Sequence, residues 1–310
     1  MRRFSKYQIV LIMEKDVFLN PKGRCISLNH IKAYKCGVFN KLFQVIKDDP
    51  ELSLEMRMKN EAMVYYHKDK ILTTSFDADG KLKNIKMLDS KYYRGKQKPS
   101  VNIENISTLH YKKLIKKYFE EAKRLVYFYK IGDEFAFQQN IAMGNHSFDN
   151  KYLVVDMEWQ FAQSAISKEE RISRTRIDLV VVDTEKNKNG YNDIYLAELK
   201  VGTGAKDGKS GIIDHVNKTH EIIEKPEACA SLINDVKSII ANKTELGLIS
   251  GNPKEFNFGE KPKMMLLSAY RGEKEKQELD KEAQKARIRA NELGMEEPKC
   301  LLYNALILLT

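Results

Sequence analysis

Apolar and β-branched residues recur along the chain in short runs separated by polar, glycine-containing and lysine-rich segments, and the spacing within each run predicts an element. Over 106–129, Tyr111, Leu114, Ile115, Tyr118, Ala122 and Leu125 return at three- and four-residue steps, the period of an amphipathic helix. Three strands are expected after it, at 152–160 (YLVVDMEWQ), about 175–183 and 194–201. A second helix begins near Gly211, with Ile212, Ile213, Val216, Ile222 and Ile223 as its buried side, and Lys263 to Tyr270 (KMMLLSAY) reads as a further strand. A charged helix over 273–293 stops at Gly294, and the apolar run 300–309 is expected to add an edge to the main sheet.

The first hundred residues follow a different rhythm. One helix is expected over 33–46, then strands at 62–67, 71–76 and 82–88 joined by Lys68-Asp69-Lys70 and Asp77-Ala78-Asp79-Gly80, an antiparallel meander with strong turn chemistry. The stretch 94–100, RGKQKPS, reads as a linker. The expected organisation is an α+β accessory region over 1–98 and an α/β domain over 99–310. No catalytic constellation stands in the accessory region, which leaves reading substrate, contacting a partner and packing against the second domain as its open roles.

Candidate chemistry is concentrated in 176–202, RIDLVVVDTEKNKNGYNDIYLAELKVG. Asp178 interrupts a run that otherwise reads as buried on both faces, and Glu198 and Lys200 sit among Leu196, Ala197, Leu199 and Val201. Strand side chains alternate, so Glu198 and Lys200 share a face while Leu199 takes the other. A charge inside a core strand is costly unless it is paired or binds a metal. With Asp178 on the same face, two carboxylates converge beside an ammonium, an oxygen donor set suited to Mg2+ or Mn2+. The competing reading is an internal ion pair or a solvated strand face.

At Asp178 and the tripeptide Glu198-Leu199-Lys200 the chain resembles the PD-(D/E)XK nucleases, the restriction-endonuclease-like phosphodiesterases, with Ile177 where the family has proline. The resemblance implies that Asp178 and Glu198 ligate the divalent ion, Mg2+ or Mn2+, with the backbone carbonyl of Leu199 as a further ligand. It also implies that Lys200 orients or activates the attacking water. In 152–160, Asp156, Glu158 and Gln160 alternate against Val155, Met157 and Trp159. Many members add an acid from the element before the Asp strand; Glu158 is the candidate, with Asp156 as substitute and Glu120 and Glu121 as other sources, and an ordinary polar face opposite Trp159 is the equal alternative. The element order α-β-β-β-α-β agrees with the family's mixed sheet flanked by helices. The implied activity is metal-dependent hydrolysis of nucleic acid, DNA ahead of RNA. The alternative is a catalytically idle nucleic-acid-binding or protein-interaction module on the same fold.

The loop GTGAKDGKSG over 202–211 does not meet the P-loop spacing, since Thr203 occupies the first-glycine position. Backbone amides at a helix start attract phosphate, and Lys206 and Lys209 add charge; a flexible connector is the plainer reading. The net charge of +10 suits a polyanionic partner. Arg174 and Arg176 lead into the Asp strand as phosphate contacts. Lys112, Lys113, Lys116, Lys117, Lys123 and Arg124 line the 106–129 helix, where a solvated face is the simpler account. The four cysteines form no Cys-x-x-Cys pair, and the six histidines show no metal spacing. His215, after Asp214 near the start of the second helix, could approach substrate, but is expected to be exposed. The apolar run 9–13 is too short for a signal or a membrane span, so no membrane partner and a cytoplasmic location are expected. Cleavage of both strands of a duplex would favour a homodimer.

Overall fold

The computed structural model describes residues 23–67, 69–93, 109–129, 133–161, 176–202 and 211–304. The protein is mixed α/β, with an antiparallel four-stranded sheet and a mixed five-stranded sheet. The chain groups into two compact units: one runs to Ile131 and takes in Asn234–Ser250, the other comprises Gly132–Ile233 and the chain from Gly251.

In the first unit, helices α1 (Leu28–Lys35) and α2 (Asn40–Asp48) replace the single helix expected over 33–46. The break falls at Gly37, where a Cβ would stand 2.8 Å from the Ala33 Cα, and where the amides of Cys36 and Gly37 both donate to the Lys32 carbonyl. The meander contains β2 (Glu61–Tyr66), β3 (Asp69–Phe76) and β4 (Leu82–Met87), preceded by a strand the pattern hides, β1 (Ser53–Arg57). Glu55 and Arg57 make β1 look solvated, yet both are buried: Glu55 pairs with Lys243 at 2.8 Å, and the Arg57 Nε donates to the Tyr65 hydroxyl at 3.2 Å.

After a 3-10 turn at Ser90–Tyr93, helix α3 (Leu109–Tyr129) packs against α2 and β3. The Tyr118 hydroxyl donates to the Ile71 carbonyl and accepts from the Leu88 amide. This corrects the expectation that the 106–129 helix is the first helix of the second domain's core: its apolar side, Tyr111, Ile115, Tyr118 and Ala122, belongs to the first unit. Its lysines are partly neutralised there, Lys123 by Asp49 and Glu51 and Lys112 by Asp48.

The second unit begins with α4 (Asp133–Gly144), followed by β5 (Tyr152–Gln160), β6 (Arg176–Lys186), β7 (Asn192–Val201) and α5 (Ile212–Ile223). Helix α6 (Pro226–Leu246) contains the division between the units. Then come β8 (Lys263–Tyr270), α7 (Glu273–Glu292) and β9 (Lys299–Asn304). The sheet order is β5-β6-β7-β8-β9, antiparallel as far as β7 and parallel across β7-β8 and β8-β9. Parallel neighbours need helical crossovers, which the segments containing α5, α6 and α7 supply. β9 forms the expected added edge.

The β6–β7 hairpin is tighter than its polar sequence suggests. The Asn187 carboxamide oxygen accepts the amides of Asn189 and Tyr191, and Gly190 takes a positive φ, so both strands extend toward the turn. One sheet face packs Met264 and Leu266 against Ile212 and Val216 of α5 and Ala283, Ala286 and Ala290 of α7, whose small side chains let the helix approach closely. Among the described residues, no helix is long and apolar enough to cross a membrane.

Candidate functional site

Strand register assembles the proposed residues. β5 pairs Met157 with Leu179 and Trp159 with Ile177, which sets Glu158 opposite Asp178. β6 pairs Leu179 with Ala197, which sets Asp178 opposite Glu198. Continued by one position, these registers place the three acids level with one another on adjacent strands, and the opposed pair Asp178 and Glu198 share a face. All three are buried, at 8% (Glu158), 7% (Asp178) and 7% (Glu198) exposure. Such burial demands partners.

Each acid has them. The Asp178 Oδ2 accepts the backbone amide of Leu199 at 3.0 Å, tying β6 to the residue between Glu198 and Lys200. Glu198 Oε1 receives the Lys200 ammonium at 2.8 Å, as expected for two side chains on one strand face. Glu198 Oε2 lies 2.9 Å from His215 Nδ1, brought in by the first turn of α5. Burial pushes the Glu198 carboxyl upward, but the His215 hydrogen bond and the Lys200 ammonium outweigh it and hold its pKa below the ordinary carboxylate value. Glu198 is thus kept in its anionic form.

Glu158 departs from the simple alternation that proposed it. Its φ is +58°, in the left-handed region that a side chain with a Cβ enters at a cost. Its Oε1 accepts from Gln138 Nε2 of α4 at 3.1 Å, and its Oε2 from the Arg176 guanidinium at 2.9 Å. The same Gln138 nitrogen donates to the Asp178 carbonyl at 2.7 Å. Asp156, the substitute acid, is buried opposite Val180. Glu120 and Glu121 lie on α3, in the first unit.

Sequence reasoning missed Gln138 and misjudged His215. His215 is expected to be exposed; its side chain is only partly so and is bound to Glu198, a correction whose cause is its place in the first turn of α5, within reach of the Glu198 carboxylate. The signal for Gln138 was the pair Gln138-Gln139 within the apolar stretch Phe135–Ala142, since amides inside an apolar helix are retained where they have acceptors to satisfy. Arg176 is placed at the site, largely exposed apart from its bond to Glu158. Arg174, Lys206 and Lys209 lie outside the described residues.

The donor set is all-oxygen and anionic, which fits a hard divalent cation and disfavours a thiophilic one. Among the described residues, no group of three or more His, Cys, Asp or Glu side chains is arranged closely enough to hold a metal ion by itself. The set consistent with this is Asp178 and Glu198 completed by the Leu199 carbonyl and by water. Comparison with protein-family models, curated proteins and solved structures returns no match.

Proposed function

We propose that the protein is a divalent-metal-dependent nuclease of the restriction-endonuclease-like fold, hydrolysing phosphodiester bonds of nucleic acid, with DNA as the leading substrate. The observation that carries this reading is the buried row Glu158, Asp178, Glu198 across β5, β6 and β7, with Lys200 against its last member. The element order from α4 onward supports it, with α4 in the place first given to the 106–129 helix.

Asp178, Glu198 and the Leu199 carbonyl would hold Mg2+ or Mn2+, with Glu158 as the added acid. When bound, the ion supplies a water nucleophile at neutral pH and neutralises charge developing on the phosphate oxygens. Lys200 orients that water and stabilises negative charge at the phosphorus centre, from a position fixed by its own strand. The exposed Arg176 guanidinium offers a two-pronged donor to a phosphate of the incoming strand.

A second reading has one specific observation in its favour: both oxygens of Glu198 are matched, by Lys200 and His215, as in a self-contained ion-pair network of a binding or interaction module. Nucleic-acid binding and cleavage measured on the same preparations across a salt series separate the two. Salt-sensitive binding with metal-dependent cleavage supports the nuclease; salt-sensitive binding without cleavage supports an idle nucleic-acid-binding module, and neither supports a protein-interaction module.

A further inference from the structure

Gln138, next to the buried Phe137 in α4, is 1% exposed. Its Nε2 faces two acceptors, the Glu158 carboxylate and the Asp178 carbonyl, which settles the orientation of the amide. The other end, Oε1, is buried and has no hydrogen-bond partner among the described residues. A buried carbonyl left unmatched is costly, so a side chain present only to fill space here would be apolar. What the amide gains is a bridge between the two strands at the residues that carry the first two acids.

The residue it holds is strained. Glu158 has a positive φ, and such backbone persists where the surroundings over-determine it, often at functional sites. Gln138 and Arg176 differ in kind as partners of its carboxylate. Arg176 is 63% exposed on its side chain, so that contact is exchangeable with solvent or a phosphate, whereas Gln138 is enclosed and bonded twice.

We infer that Gln138 is the positioning residue of the site: it fixes Glu158 in the carboxylate row while Arg176 is free to leave for a substrate phosphate. The inference rests on the nuclease reading and assigns α4 a part in catalysis without contact to the reacting atoms.

Single-turnover cleavage of a DNA duplex at saturating Mg2+, by wild type, Gln138→Met, Glu158→Gln and the double variant, tests it. If Gln138 acts through Glu158, Gln138→Met lowers the rate about ten- to one-hundred-fold in the wild-type background. It costs less than about threefold where Glu158 is already Gln, because the residue it positions no longer acts. Apparent substrate affinity stays within about twofold. Gln138→Asn withdraws the same amide by about 1.5 Å and gives an intermediate loss; with its own Glu158→Gln double it replaces the methionine variant should that fail to fold. Equal losses in both backgrounds, as a merely structural role would give, overturn the inference while leaving the nuclease reading standing. Absence of cleavage by the wild-type chain overturns both.

Discussion

His30 offers a direct check on the packing of the first unit. Its ring is fully buried, stacked on Tyr34 and against Phe76. The Asn60 carboxamide oxygen accepts from the Ser27 amide and lies 3.3 Å from His30 Nδ1, so Nδ1 carries the proton. Nε2 then accepts from the Thr74 hydroxyl at 2.9 Å, and that oxygen accepts from Tyr34 at 2.7 Å. This network is complete for a neutral imidazole; a second proton on Nε2 would turn the Thr74 hydroxyl away to the Ala62 carbonyl, 3.5 Å distant. Burial pulls the pKa from 6.5 to about 4, against the Asn60 hydrogen bond, which acts in the opposite direction.

The unfolded chain therefore takes up a proton between pH 6.5 and 4 that the folded chain refuses. The stability contribution is fully present above pH 6.5 and is lost as pH falls toward 4, by about 2.5 kcal/mol at pH 4.5. His30→Gln removes the titration. Trp159, the only tryptophan, lies in the other unit, so fluorescence would report the wrong region. Hydrogen exchange at the β2 and β3 amides, corrected for intrinsic rates, reads the local free energy instead. The advantage of wild type over His30→Gln should shrink by about that amount between pH 7.5 and 4.5. Parallel loss in the two proteins would refute the neutral, enclosed histidine.

Three further outcomes are expected. Lys243→Met removes the cation facing the buried Glu55 and should cost about 3–5 kcal/mol by denaturant unfolding, much of it recovered in the Glu55→Leu/Lys243→Met double; a loss below about 1 kcal/mol would show the pair to be solvated. At Glu158, both Gly and Ala lose the carboxylate but only Gly relaxes the positive φ, so Glu158→Gly should be more stable than Glu158→Ala by about 1 kcal/mol in thermal melts; the reverse order would contradict the strained backbone. Lys200→Met should reduce kcat by on the order of a hundredfold with little change in nucleic-acid binding, and a purely KM effect would remove Lys200 from the chemistry.

Strand β5 was legible residue for residue because its polar residues alternate with apolar ones, and β8 because its apolar content matches a strand buried on both faces. The Asp178 and Glu-Leu-Lys positions stood out for the related reason that charge is expensive in such strands. β1 was hidden because burial of Glu55 and Arg57 depends on partners distant in sequence or across the strand, which no local pattern records. The helix over 109–129 was correctly read as amphipathic, but periodicity says which side is buried and not against what; its partners turned out to be β3 and α2. Helix α4 has apolar residues on several sides, Phe135, Phe137, Ile141 and Met143, and so lacks the stripe that marks a helix. With α4 unseen, Gln138 was unseen as well. The Glu158 position was found by alternation, although its backbone breaks that alternation.

The most direct test is cleavage itself. Purified protein is incubated with plasmid, linear duplex and single-stranded DNA in Mg2+, in Mn2+ and in EDTA, alongside Asp178→Asn and Glu198→Gln. Metal-dependent cleavage of at least one substrate, abolished by EDTA and by either substitution, is expected. No cleavage of any substrate, or cleavage that persists in both variants, would contradict the assignment of the carboxylate row as a nuclease site.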